Sequence, residues 1–87
     1  MAEDARPNAP DVAGWLEVLR AHLPPALVDE AGADEQVVLL ELAGIAAHRS
    51  HRTAAPITAY LAGVAFAGLP RVERLARLRE LASALER

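Results

Sequence analysis

The segment His48-Arg49-Ser50-His51-Arg52-Thr53-Ala54-Ala55-Pro56 places two of the chain's three histidines and two arginines within five residues. Three chemistries fit those types at that spacing. The first is anion binding: His48 and Arg52 stand four residues apart, and a guanidinium fork holds a phosphate or carboxylate through two hydrogen bonds. If the chain reverses here, the free amides at the head of the next helix, around Ile57 and Thr58, aim partial positive charge at the same point. On this reading His48, Arg49, Arg52 and Thr58 are the ligand-binding residues. The second is a metal site, with His48 and His51 one turn apart and His22 as a third ligand, but no carboxylate is placed to complete the set. The third is purely structural: cationic side chains at a helix C-terminus complement the helix dipole.

Other constellations are missing. Ser50 and Ser83 are the only serines, and neither stands beside a recognisable base and orienting acid. Asp29 and Glu30 fall in an acidic stretch that reads as a solvated connector together with Asp34 and Glu35, where nothing raises a carboxyl pKa for acid catalysis. There is no glycine-rich phosphate loop and no cysteine. The sequence therefore predicts no catalytic residue, no metal and no cofactor, and a protein that is not an enzyme.

Composition frames the elements that position these residues. Eighty-seven residues, 53% of them apolar, suffice for one domain. The apolar residues are mainly Ala, Leu and Val, with no sustained period-2 alternation, so the prediction is all-α. The net charge of −3 gives no basic footprint for nucleic acid. The N-terminal residues, with Glu3 and Asp4, do not read as a signal peptide, and a cytoplasmic location is expected. Thr53 to Pro70 carries no charge. Gly63, Gly68, Thr58 and Tyr60 argue against a membrane span there, and the run reads as a central helix buried by its neighbours.

Residues 1–9 are expected to form a disordered arm, and 10–87 a compact, four-helix bundle-like single domain. The first helix runs from about Pro10 or Asp11 to His22. Val12, Trp15, Leu16, Leu19 and Leu23 form its stripe, Trp15 is the anchor, and Asp11 or Asn8 is the cap. Pro24 and Pro25 end it, and one helical turn within 26–33 lays Leu27 and Val28 on the core. The second helix starts from Asp34 as cap and ends near Arg52; Glu41 sits at an exposed edge, the alternative being a buried carboxylate bound to an arginine. Pro56 opens the third, because Ala55 before a proline is pushed towards extended backbone. Ala59, Ala62, Gly63 and Ala67 give that helix a small-residue face that admits another backbone. The fourth, from about Pro70, has Leu75, Leu78, Ala82 and Leu85 as its apolar stripe and its arginines outside it.

Ala47-His48, Arg52, Ala54-Ala55-Pro56-Ile57-Thr58, Tyr60-Leu61 and Gly63 together resemble the motif of a small, uncharacterised helical domain family of actinobacteria. Trp15-Leu16 and the acidic connector extend the likeness over most of the chain. Members stand alone or are fused to nucleotidyltransferase domains similar to molybdenum cofactor guanylyltransferase. The resemblance implies an accessory role in molybdenum cofactor metabolism, with a nucleotidyltransferase or molybdenum-enzyme maturation protein as partner and an anionic small molecule as ligand. It carries over His48, Arg52, Ala55, Pro56, Thr58 and Gly63, with Ala55, Pro56 and Gly63 as structural positions. Thr53 stands where proline is usual and His51 where an acid is common. The alternative is an interaction or homodimerisation module with no ligand, in which the motif only fixes the turn.

Overall fold

The computed structural model describes residues 9–87; the arm expected over 1–9 lies, apart from Ala9, outside them. The described residues are all-α, with no strand: α1 Val12–Arg20, α2 Pro25–Glu30, α3 Ala33–Arg49, α4 Ala54–Phe66 and α5 Arg71–Glu86. Two compact units divide the chain, Met1–Ala31 and Gly32–Arg87.

In the first unit Asp11 is the cap, its Oδ1 accepting the Gly14 N–H at 2.9 Å. Gly14 is required there, because a Cβ would stand 2.9 Å from that of Pro10. The helix closes with the His22 and Leu23 amides both donating to the Leu19 carbonyl, at 2.9 and 2.8 Å. Pro24 and Pro25 forbid its continuation. Pro25 instead opens α2 at a first-turn position, where its missing N–H costs nothing. The expected turn is thus a short helix of its own. Arg20 joins α1 to α2 through its hydrogen bonds to Asp29, and it also bonds Glu17 at 3.1 Å. The Asp29 bond is the first cause that raises the Arg20 pKa.

Trp15 is not the buried anchor that its stripe suggests. It is 52% exposed, Leu27 is exposed, Val28 is half-buried, and no residue of α1 is buried. Within its unit the stripe of α1 has only the six residues of α2 against it, too few to cover it.

The second unit is organised around α3, which packs against both α4 and α5. Its core is Val38, Leu42, Ala62, Leu78 and Ala82, with Leu39, Ile45, Phe66, Leu75 and Leu81 against it. Leu42 alone is fully enclosed. The central helix is therefore α3, and the uncharged α4 lies to one side of it with only Ala62 buried. Lack of charge removes the penalty for burial but does not supply the neighbours that burial needs. Gly32, in extended backbone, and not Asp34, precedes the first turn of α3. Ala55 lies inside α4, which begins two residues before Pro56. A first-turn proline loses no helical hydrogen bond, and the bias on the residue before it is overcome.

Candidate functional site

The chain folds back between α3 and α4 through Ser50–Thr53. His48 and Arg49 occupy the last turn of α3, Arg52 lies in the turn, and Thr58 is half-buried on α4. His48 and Arg49 line an open cleft shared with Glu41, Gly44, Ile45 and Glu86. There Arg49 Nη1 donates to the Glu86 carbonyl at 3.3 Å, so a cation from α3 completes the C-terminus of α5. Two glutamates flank that cleft, and Arg52 and Thr58 do not line it.

Beyond the end of α3, His48 and Arg52 no longer share a helical face. At the head of α4 the Ala54 amide donates to the His51 carbonyl at 2.7 Å and the Ala55 amide to the Arg52 carbonyl at 3.2 Å. Pro56 has no N–H, so the first three positions of α4 present no free amide. The His51 ring is engaged within the turn, its Nδ1 accepting from the Thr53 N–H at 3.3 Å and lying 3.0 Å from the Thr53 hydroxyl. Among the described residues no three His, Cys, Asp or Glu side chains gather closely enough to hold a metal ion.

A pair of charged residues expected in solvent lies at the other end of α3. Glu35, expected in the connector, is 5% exposed, and Arg74, expected on the outer face of α5, is half-buried. The Arg74 fork donates to both carboxylate oxygens, at 2.5 Å from Nε and 2.8 Å from Nη2. Glu35 is also the third residue of α3 and accepts from the Gly32 amide, half of a capping box. The Arg74 hydrogen bond holds its carboxyl below the ordinary value of 4.5, against the opposing effect of burial; the charges of Arg74 and Arg71 and the Gly32 amide act in the same downward direction. A paired carboxylate held charged and enclosed has the character of a structural clamp between α3 and α5.

The outer face of α4 carries a row of exposed apolar side chains. Ile57, Tyr60, Leu61 and Val64 form one row at steps of three, one and three residues and are 59, 70, 58 and 58% exposed. Gly63 beside them is exposed, and a Cβ there would meet nothing within 4 Å. Of the small residues expected to admit a backbone, Ala62 is buried, Ala59 half-buried, and Gly63 and Ala67 face solvent. The row was present in the sequence as a helical stripe; nothing in it said that the stripe would go uncovered.

Fold and surface define the class: a small all-α domain whose larger unit is built round one central helix. The chain belongs to the family described as a domain of unknown function, DUF6457, whose profile matches residues 5–87. No curated protein matches the chain, and no solved structure matches it. No helix of the described residues is long and apolar enough to cross a membrane.

Proposed function

We propose that this chain is a non-catalytic accessory module that works by docking protein, with the outer face of α4 as its docking surface. The observation that carries the proposal is the uncovered row Ile57, Tyr60, Leu61 and Val64 on a helix without a charged residue. Scattered apolar side chains are ordinary on a protein surface, whereas a contiguous row on one helix is the form that helix-mediated recognition takes. The link to molybdenum cofactor maturation belongs to this proposal as what the family resemblance implies, a nucleotidyltransferase being the class of protein such a module would serve.

The test is a Leu61→Gln, Val64→Gln double variant at low protein concentration. Unchanged helical circular dichroism and an unchanged melting temperature are expected, since a docking face contributes little to the isolated fold. Loss of helicity would make the row part of the fold's own support and end the proposal.

Anion binding at the turn is a second reading, and exposed Arg52 is what favours it. It depends on side chains alone, because the leading amides of α4 are spent or absent. Arg52→Ala should then abolish a phosphate titration that the unaltered chain shows, with no change in melting. A chain that does not respond to phosphate removes this reading.

A further inference from the structure

Apolar contact is undiscriminating, and any apolar side chain of fitting size can cover Ile57, Tyr60, Leu61 and Val64. Charge at the border of the row discriminates. The run from Thr53 to Pro70 carries none, so the first charges beyond it are Arg52, in the turn ahead of α4, and Arg71, at the start of α5. Within five residues of either end of α4 stand Arg49, Arg52 and Arg71 and no carboxylate.

Two of these arginines are committed elsewhere. Arg49 donates to the Glu86 carbonyl in the cleft that holds Glu41 and Glu86, and no residue of α4 lines that cleft. Arg71 lies against Gly32, its Nη2 3.2 Å from the place a Cβ would take, in a cleft shared with Asp34 and Glu35. Arg52 differs from both. It is exposed, and among the described residues its guanidinium takes part in no hydrogen bond or ion pair. Its carbonyl accepts the Ala55 amide at 3.2 Å, which ties its backbone to the first turn of α4, five positions ahead of Ile57. A free cation is thereby held at the leading edge of an uncharged apolar row.

A partner that covers the row also withdraws water from its leading edge. There a carboxylate gains from the guanidinium fork, through two hydrogen bonds strengthened by the loss of solvent, whereas a second cation is repelled. We infer that the occupant of this face is an amphipathic helix of another protein that sets an Asp or Glu side chain beside Arg52. The inference rests on the docking reading of the preceding subsection and adds to it the partner's charge and its direction: the acidic end of the partner lies at the head of α4.

Two labelled synthetic helical peptides test this in fluorescence anisotropy titrations with the full chain. Both carry leucines at steps of three, one and three residues, and they differ only in whether the row ends in glutamates or in lysines. The glutamate peptide should bind at least ~10-fold more tightly than the lysine peptide, because like charges at an interface are strongly disfavoured. Added salt should narrow that difference. Arg52→Glu should invert the preference, and Leu61→Gln with Val64→Gln should abolish binding of both peptides while melting stays unchanged. Leu40→Gln, at an exposed leucine of α3, should alter neither affinity.

Equal affinity for the two peptides, a preference that survives Arg52→Glu, or binding of neither overturns the inference. So does binding that survives the Leu61→Gln, Val64→Gln change, which belongs to another surface. Self-association of the chain, or binding to phosphatidylcholine–phosphatidylglycerol vesicles, that Leu61→Gln removes would give the face to a second copy or to a lipid surface, and would equally overturn it. If the Leu61→Gln, Val64→Gln variant keeps its fold and the peptides are not distinguished, the acidic partner fails and the docking reading stands. If that variant unfolds, the docking reading itself has failed.

Discussion

The α3–α5 contact and the outer face of α4 reverse what residue type alone would assign. The first encloses a glutamate to 5% exposure and half-buries an arginine, and the second leaves an isoleucine, a tyrosine, a leucine and a valine more than half exposed. The difference teaches that burial follows the number of neighbours an element has. Facing α5, Glu35 gains two hydrogen bonds from Arg74 and one from the Gly32 amide, which offset its desolvation. Facing away from α3, the row on α4 finds no cover within its own unit.

Two leucines make that contrast measurable. Leu42 is wholly enclosed, and Leu42→Ala should cost about 3–5 kcal/mol through lost contacts and the cavity left behind. For a small domain of marginal stability this approaches the whole of it. The urea midpoint should collapse, and a shift below about 1 kcal/mol would mean that α3 is not the centre of the unit.

The ion pair comes next. Arg74→Ala leaves the Glu35 carboxylate enclosed without its partner and should cost about 3 kcal/mol. Replacing both residues by methionine should restore most of that loss, since an enclosed ion pair and an apolar pair of similar volume differ little in stability. Failure of the double variant to recover would mean that Glu35 acts mainly through the Gly32 amide at the head of α3. The pair also fixes a pH dependence. The folded carboxyl is held below its ordinary 4.5, so its contribution is complete above that value and is lost as pH falls through the depressed folded pKa. Melting temperature should decline below about pH 4.5, and Glu35→Gln should flatten that part of the curve. Equal slopes for the two proteins would assign the decline to other carboxylates.

Much of this fold was legible, and the failures have definite causes. Pro24-Pro25 and Gly68-Leu69-Pro70 mark helix ends by backbone chemistry that tertiary contacts hardly alter, and the structure breaks at both. Glu35 and Arg74 were misplaced by type although their spacing was informative. Glu35 stands three residues before Val38 and seven before Leu42, and Arg74 stands four before Leu78 and eight before Ala82, so each lies in the buried stripe of its own helix. Two opposite charges in two core stripes are the pattern of a buried pair. The helix that is apolar on every side gave no such handle. Without a polar face α4 has no sequence signal for which side meets α3, and its lack of charge read as burial. At the turn, the sequence located the reversal near Arg52 but not the fate of the amides. That depended on α4 starting at Ala54 instead of Pro56, a shift of two residues that replaces free donors with occupied ones.

The smallest effects bear most directly on α4. Gly63→Ala should raise stability by about 0.5–1 kcal/mol, because alanine forms helix more readily and its methyl group enters open space. Leu61→Gln should move the stability of the isolated chain by less than about 0.5 kcal/mol, although it replaces a leucine in the middle of a helix. Set beside Leu42→Ala, the near-silence of Leu61 would show that two leucines on adjacent helices serve different ends. A loss at Leu61 of the size expected at Leu42 would instead place the α4 row inside a core.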